Sequence, residues 1–286
     1  MANLKEIRNR ISSVSSTMQI TSAMKMVSAA KLKKAQDAIT AMRPYANKLT
    51  ELIQNLSQSL DSEEPNPYTQ QRPVQKVLLV ALTSNRGLCG GFNSNILKEV
   101  KRLQTETYAD KEVTLFSIGK KGSDLFQKSS QLLDTADYLY DDLSYAKVSE
   151  VAERIMQSFA DAQFDEVVLV YNRFKNAATQ LVTTEPYLPL VAEQQEQAST
   201  AEYIYEPSQE EIVGELLPKA LKLQLFKALR DSFASEHGAR MTAMHKATDN
   251  AKDLRDQLKL TYNKARQAAI TNEILEIVGG AEALNN

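Results

Sequence analysis

The clearest candidate for chemistry in the sequence is a glycine-rich loop, Arg86-Gly-Leu-Cys-Gly-Gly-Phe-Asn93, which follows an apolar run and opens a helical pattern. A loop in this position can present backbone N–H groups to a phosphate. The segment matches neither the Gly-x-Gly-x-x-Gly pattern nor the Walker pattern, because the Walker lysine is missing. Of two interpretations, a phosphate-binding loop and a tight turn between strand and helix, the sequence favours the turn.

Cys89 is the only cysteine of the chain and could act as a nucleophile. A thiol near Arg86 and a helix start would have a lowered pKa. Its possible bases, His237 and His245, are distant in sequence, and their spacing of eight is not the i, i+4 pair of a zinc helix. We expect both histidines on a solvated surface and Cys89 to be a small buried residue. The sequence predicts no catalytic constellation, no cofactor and no metal site.

Composition narrows the possible classes of protein. A chain of 286 residues suits one large domain or two modest ones. A single cysteine excludes an internal disulfide framework. No stretch approaches the ~20 consecutive apolar residues of a membrane helix, and the first residues have no apolar core that could serve as a secretory signal. We therefore expect a chain that does not itself span a membrane.

Charge is distributed unevenly along the chain. Residues 1–60 carry nine basic and three acidic side chains, residues 219–266 carry eleven and five, and the whole chain has a net charge of −2. Two basic ends therefore flank an acidic middle. The basic ends are either solvated helix surfaces or surfaces for an acidic partner. Nucleic acid fits poorly, because these segments lack interleaved aromatic residues.

Both ends of the chain have helical periodicity. Apolar residues recur in steps of three and four across residues 1–60, beginning with Ile7, Ile11 and Val14. We predict one long helix there, with a kink or local break at Pro44. Residues 208–286 show the same pattern, and Gly279-Gly280 is expected to end that helix.

Two such helices would leave apolar stripes in water unless they pair. We therefore predict a long antiparallel two-helix coiled coil formed by the N- and C-terminal helices. Its seam is rich in alanine, serine and threonine, including Ser28-Ala29-Ala30. Small side chains bury little area, at ~25 cal/mol per Å², so a surrounding partner is also expected.

Residues 74–190 predict a central α/β domain. The apolar runs at 75–83 and 164–171 have the length of strands buried on both faces. Further strands are predicted at 112–118, from Leu132 to Tyr140, and at 178–188, with helices between several of them. This alternation predicts a Rossmann-like domain with a mostly parallel sheet. Residues 192–201 are predicted to form a polar loop.

Separated segments in the same order resemble the gamma-subunit family of rotary F-type ATP synthases over essentially the whole chain. The matching segments are Ile7-Arg-Asn-Arg-Ile11, Ile20-Thr-Ser-Ala-Met-Lys-Met-Val-Ser-Ala-Ala-Lys31, Arg86-Gly-Leu-Cys-Gly-Gly91, Tyr203-Ile-Tyr-Glu-Pro207, Ala239-Arg-Met-Thr-Ala-Met244, Tyr262-Asn-Lys-Ala-Arg-Gln267 and Ile270-Thr-Asn-Glu273.

The resemblance implies a non-catalytic central rotor shaft. Such a shaft transmits torque between a proton-driven membrane ring of c subunits and the catalytic alpha-beta hexamer, and it regulates ATPase activity and proton flow. Its rotation drives sequential conformational change at the three beta-subunit sites. The implied partners are the alpha, beta, epsilon and c subunits, with one copy of the chain per complex and no nucleic acid. The implied location is peripheral, on the cytoplasmic face of the bacterial inner membrane.

The resemblance also assigns candidate contact residues, each with a simpler alternative. Met24 could instead pack in the coiled-coil seam, Glu273 could be a solvated charge, and Tyr203 could lie at a sheet edge. The implied beta-subunit contacts are Met24, Cys89, Arg240, Gln267, Thr271 and Glu273, and the implied foot contacts, near epsilon and the ring, are Tyr203, Tyr205 and Glu206.

Two competing functions remain at this stage. One is a structural scaffold, in which an α/β binding domain carries a coiled-coil arm without rotating. The other is a small-molecule enzyme that uses Cys89, for which the sequence offers no neighbouring base.

Overall fold

The computed structural model describes residues 4–59, 67–129, 132–190 and 209–284. The chain divides into two compact units, one made of Met1–Ser28 with Met241–Asn286 and the other of Ala29–Arg240. Helices α1 (Leu4–Ser59) and α5 (Gln209–Leu284) contribute residues to both units.

The larger unit is built on a five-stranded sheet in the order β3-β2-β1-β4-β5. Strands β1 to β4 run parallel to one another, and β5 pairs antiparallel with β4. The predicted Rossmann-like domain with a mostly parallel sheet is thereby confirmed. The strands are β1 (Lys76–Leu82), β2 (Glu112–Ile118), β3 (Leu132–Thr135), β4 (Glu166–Phe174) and β5 (Gln180–Leu188).

Helices cover both faces of this sheet. They are α2 (Phe92–Arg102), extended by a π-helical turn (Leu103–Thr107), α3 (Lys120–Ser129), α4 (Tyr145–Ala160) and part of α5. Successive side chains of a strand point to opposite faces. Val77 and Leu79 of β1 accordingly join a cluster with α2 and α3, whereas Leu78 and Val80 join one with α4 and α5. Burial on both faces explains why β1 is an uninterrupted apolar run.

The third strand is shorter than the sequence predicts. Strand β3 ends at Thr135, and a 3-10 turn covers Asp137–Tyr140. The Asp137 carboxylate accepts hydrogen bonds from the Gly119 N–H (3.1 Å) and the Ser123 hydroxyl (2.8 Å). These bonds hold the chain at the end of β2 and stop the strand from extending.

An expected helix break and an expected helix end are absent. Helix α1 continues through Pro44, and α5 continues through Gly279 and Gly280 to Leu284. The expectation that the glycine pair ends α5 is wrong. A glycine in an exposed helix costs about 1 kcal/mol, which the helix-forming residues around it can offset.

In the smaller unit the two helices run antiparallel. Arg8 donates a hydrogen bond to the Tyr262 hydroxyl at 2.7 Å. The Thr21 and Thr248 hydroxyls lie 2.8 Å apart, and Lys25 Nζ lies 3.4 Å from His245 Nδ1. Residues later in α1 contact residues earlier in α5, so the two helices are antiparallel. The predicted antiparallel coiled coil is therefore confirmed.

The end of helix α4 contains a strained alanine. Ala162 has a φ of 55°. Its N–H donates to the Phe159 carbonyl, and the Gln163 N–H donates to the Ser158 carbonyl, both at 3.0 Å. These two bonds form the Schellman motif, whose left-handed position is usually glycine.

Replacing Ala162 by glycine should therefore stabilise the larger unit. We expect Ala162→Gly to raise the free energy of unfolding by about 1 kcal/mol, because glycine adopts a left-handed backbone without the steric cost of a Cβ. Urea denaturation followed by circular dichroism measures the change. Ala160→Gly, two residues earlier and still helical, is the matched control and should be destabilising; equal effects of the two substitutions would contradict the strain at Ala162.

Candidate functional site

The loop after β1 lies at the carboxyl edge of the parallel strands, where open α/β sheets bind their ligands. One amide side chain closes this loop. Asn93 Oδ1 accepts from the Ser84 N–H at 3.0 Å, and Asn93 Nδ2 donates to Ser84 Oγ at 2.8 Å. The Ser84 hydroxyl in turn donates to the Arg86 carbonyl at 2.7 Å. The loop is therefore held by its own side chains.

Cys89 points into the larger unit and is 2% exposed. Its sulfur accepts a hydrogen bond from Asn93 Nδ2 at 3.4 Å. Burial raises the pKa of the Cys89 thiol, against smaller opposing effects of Ser84 and of the Arg240 charge. A buried thiol with a raised pKa is a poor nucleophile at neutral pH, so the nucleophile interpretation is not supported.

Arg240 of α5 binds the loop from the other side. Its Nη2 donates to the carbonyls of Arg86 (2.9 Å) and Gly87 (3.3 Å). Its Nη1 donates to Glu236 Oε1 at 2.6 Å, one helical turn earlier. The two charged side chains are only 9% and 8% exposed. The guanidinium thus joins a carboxylate on its own helix to two backbone carbonyls of the loop.

The Glu236–Arg240 pair is costly to break. Burial raises the pKa of Glu236, while the Arg240 guanidinium acts in the opposite direction. Removing one member of a buried ion pair leaves the other charge without compensation and typically costs about 3–5 kcal/mol. The arrangement therefore fixes the loop firmly against α5.

His237 is buried beside this pair, at 5% exposed. Its ring meets the Phe233 ring edge-on, with centroids 4.4 Å apart. Arg240 Nη1 lies 3.4 Å from His237 Nδ1, and an arginine can only donate, so that nitrogen carries no proton. Burial, assisted by the positive charge of Arg240, lowers the pKa of His237 to about 3.

Of the two histidines, one lies in the predicted environment and the other does not. We expected His237 on a solvated surface, and this is wrong because every residue from 234 to 240 is buried where α5 packs on the α/β domain. His245 is exposed, as expected. Glu236 was not predicted as a site residue, although its i, i+4 spacing from Arg240 was a usable signal.

Helix α5 occupies the crevice at the sheet edge. A Cβ on Gly238 would lie 3.3 Å from the Ala177 Cα, so the helix closely approaches the segment after β4. Cys89, Phe92 and Ala239 form one buried cluster, which joins the loop to the helix. A space that holds a ligand in other doubly wound folds is thus filled by protein, which supports the tight-turn interpretation of the loop.

Leu88 faces outward from the same loop. Its φ is 63°, and it is 65% exposed. A left-handed backbone costs a residue with a Cβ about 1–2 kcal/mol. The loop therefore turns Cys89 inward and presents a strained leucine to the outside.

The remaining sequence-predicted contact residues lie elsewhere. In the smaller unit, Met24 is partly buried, and Gln267, Thr271 and Glu273 are exposed. Of the six predicted hexamer contacts, the structure brings Cys89 and Arg240 together and buries both side chains within the chain. The predicted foot residues Tyr203, Tyr205 and Glu206, and the polar loop at 192–201, lie outside the described residues.

The end of α5 is exposed on all sides. Every residue from 270 to 281 is exposed in the chain. The register set by Arg8 and Tyr262 places the start of α1 near Arg266, so no described residue of α1 reaches this segment. Its large apolar side chains include Ile274 (54% exposed), Leu275 (63%), Ile277 (71%) and Val278 (54%). An apolar patch of this kind marks an interaction surface.

The described part of the chain contains neither a metal-binding group nor a membrane-spanning helix. Among those residues, no three or more histidine, cysteine, aspartate or glutamate side chains form a group able to hold a metal ion. No described helix combines the length with the apolar character that crossing a membrane requires.

Known sequences match this one along the whole chain. The family model described as ATP synthase matches residues 3–284. The ATP synthase gamma chain of Flavobacterium johnsoniae is 66% identical over 286 residues, which cover 100% of both chains.

Solved structures of ATP synthases contain chains with a similar fold. A chain in the OSCP, F1 and c-ring assembly of Euglena gracilis mitochondrial ATP synthase has a TM-score of 0.71 at 23% identity, covering 98% of this chain and 94% of that one. A chain in the central stalk and c-ring of Tetrahymena thermophila mitochondrial ATP synthase has a TM-score of 0.60 at 28% identity, covering 80% and 99%.

The burial of Cys89 predicts its reactivity. We expect the thiol of the folded chain to react with a disulfide reagent at least about tenfold more slowly than that of the urea-unfolded chain, because both accessibility and thiolate fraction are reduced. Absorbance of the released thiolate measures the two rates. A folded chain that reacts as fast as the unfolded one would show that Cys89 is accessible after all.

The buried neutral His237 predicts a pH dependence of stability. Its pKa is about 3 in the folded chain, against an ordinary value of 6.5 for a solvated histidine. Between these values the unfolded state binds a proton that the folded state does not, so stability falls as pH is lowered, by up to about 1.4 kcal/mol per pH unit. Urea denaturation between pH 7 and pH 5 should show a smaller slope for His237→Gln than for the wild type. Identical slopes for the wild type and His237→Gln would contradict the assignment.

Proposed function

The chain belongs to the ATP synthase gamma-chain family, and from this premise we propose that it is the central rotor shaft of an F-type ATP synthase. In this role it is a non-catalytic subunit, present once per complex. It transmits torque between the proton-driven ring of c subunits and the alpha-beta hexamer, whose beta subunits carry out ATP synthesis. The same contacts regulate ATPase activity and proton flow.

The exposed end of α5 is the observation that carries this proposal. Residues 270–281 form a single helix with large apolar side chains and no covering element among the described residues. Such a segment in water is unfavourable unless a partner surrounds it. A sleeve of alpha and beta subunits supplies that cover, and contacts between apolar side chains, which are not directional, allow the helix to turn inside it.

The shaft acts by favouring different conformations of its neighbours. Its faces are unequal, because α5 extends beyond the paired region and carries both apolar and charged residues. Each orientation therefore makes different contacts with each beta subunit. A contact that binds one conformation better than another shifts the population toward it, and rotation applies that shift to each catalytic site in turn.

The contact residues assigned from the resemblance remain part of this proposal. Met24, Gln267, Thr271 and Glu273 would meet the beta subunits through their side chains. Cys89 and Arg240, both buried, would act by holding the loop at residues 86–91 in place. Tyr203, Tyr205 and Glu206 would contact the epsilon subunit and the membrane ring. The complex would place the chain at the cytoplasmic face of the bacterial inner membrane, as a peripheral subunit.

Assembly with the hexamer tests this function. We expect co-expression with the alpha and beta subunits to give one complex by size exclusion that contains a single copy of the chain, with ATPase activity that depends on the chain. Rising ionic strength should weaken assembly, because exposed charge pairs are screened. A chain that elutes as a free monomer beside an unaffected hexamer would favour the scaffold function instead.

A substitution at the end of α5 isolates the apolar contact. We expect Ile277→Asp to weaken the complex by on the order of tenfold or more, because burial of an isoleucine is replaced by burial of a charge. The free chain should keep its stability, because Ile277 is 71% exposed there. Leu133→Asp, at a leucine 48% exposed on β3 and outside this segment, introduces the same charge and is the control; equal weakening by both variants would contradict the apolar contact at the end of α5.

A further inference from the structure

The switch point of the sheet holds a helix of the same chain. Strands β1 and β4 are neighbours, and the chain continues from β1 to β2 on one side and from β4 to β5 on the other. A crevice opens at such a point, and doubly wound proteins bind ligands there. Helix α5 contacts both the loop that follows β1 and the turn that follows β4, so it occupies the place of a ligand.

The two contacts lie on opposite sides of α5. Arg240 binds the carbonyls of Arg86 and Gly87 in the loop after β1. Gly238, two residues earlier, approaches Ala177 in the turn after β4. Residues two apart in an α-helix project about 200° apart around its axis, because each residue turns the helix by about 100°. The helix is therefore held between two segments at the same edge of the sheet.

Gly238 leaves a gap in the helix surface, and the turn fills it. A Cβ at this position would lie 3.3 Å from both the Cα and the carbonyl oxygen of Ala177, and 3.5 Å from Phe174 Cε2. Every other residue from 234 to 240 carries a side chain. Rotation of α5 by one residue position would therefore press a side chain against the Ala177 backbone, and a close-packed interior resists such overpacking.

The turn on the other side of this contact is held by its own hydrogen bonds. Asn176 Oδ1 accepts from the N–H groups of Ala178 (3.0 Å) and Thr179 (2.8 Å). Gln180 Nε2 donates to the Ala177 carbonyl at 3.1 Å. The turn also joins two strands that pair as far as Gln180. It therefore cannot move away from α5 without breaking these bonds.

We propose that Gly238 and the β4–β5 turn (residues 175–179) form a rotational stop, which prevents α5 from turning about its own axis relative to the sheet. Torque on the α/β domain then passes into α5 at this contact. Gly238 is a positioning residue, because it sets the orientation of the helix and touches no reacting group. The inference rests on the proposed function, in which the chain transmits torque.

Gly238→Val tests the rotational stop in the assembled complex. The alpha-beta hexamer is fixed to a surface and stalled with a non-hydrolysable ATP analogue, and a rod is attached to the α/β domain at Asp110→Cys, an exposed position. The buried Cys89 leaves the new thiol as the reactive one. We expect the angular variance of the rod to rise about twofold or more, because the valine pushes the turn away and close packing no longer resists rotation.

Gly214→Val is the matched control. Gly214 lies in the same helix and is exposed, and a Cβ added there would meet no atom within 4 Å. Its variance should equal that of the wild type. Asn176→Ala is a second test, because it removes hydrogen bonds of the turn and leaves α5 unchanged, and it should also raise the variance. A purely structural role for Gly238 would lower the stability of the free chain without changing the variance in the complex.

The outcomes separate this inference from the function on which it rests. Wild-type chain that never assembles with the hexamer overturns both. Assembled Gly238→Val and Asn176→Ala variants that keep the wild-type variance overturn the rotational stop alone. Equal increases for Gly238→Val and Gly214→Val would assign the effect to the helix itself and likewise overturn it. If Gly238→Val does not fold, the variance of Asn176→Ala decides.

Discussion

Arg240 brings a full positive charge into a region where its side chain is 9% exposed, and the surrounding structure must compensate that charge completely. Glu236 supplies the opposite charge, and carbonyls of the loop after β1 take the remaining donors. The loop conformation therefore depends on the position of α5, and the position of α5 depends on the loop. Through this dependence, an ion pair and backbone hydrogen bonds hold a helix against the carboxyl edge of a parallel sheet.

The same helix meets two environments along its length. Residues 234–240 are all buried in the α/β domain, whereas residues 270–281 are all exposed in the chain. Within the domain, α5 is held by ionic and close backbone contacts, including the approach of Gly238 to Ala177. Beyond the domain, the apolar side chains of α5 are exposed and available for contact with a partner. One helix can therefore be fixed at one end and free to slide against another protein at the other.

Much of this fold is predictable from the sequence, because its elements are long and strongly patterned. Strand β1 is an apolar run of a doubly buried strand, and the terminal helices keep a period of three and four over many turns. The surroundings of His237 are not predictable in this way. The helical pattern gives the face on which a residue lies, but a helix covered on all faces is identified only when its neighbours are known. The left-handed backbone of Leu88 likewise depends on hydrogen bonds from Arg240, far away in sequence.

The antiparallel register of the smaller unit links the lengths of two distant segments. Arg8 and Lys25 are 17 residues apart on α1, and their partners Tyr262 and His245 are also 17 apart on α5. One residue inserted in either helix would rotate everything beyond it by about 100° and shift it by about 1.5 Å. Every contact past the insertion would then be lost together. An insertion in one helix would therefore preserve the pairing only if it restored the contact face, as seven residues do, and if the other helix lengthened to match.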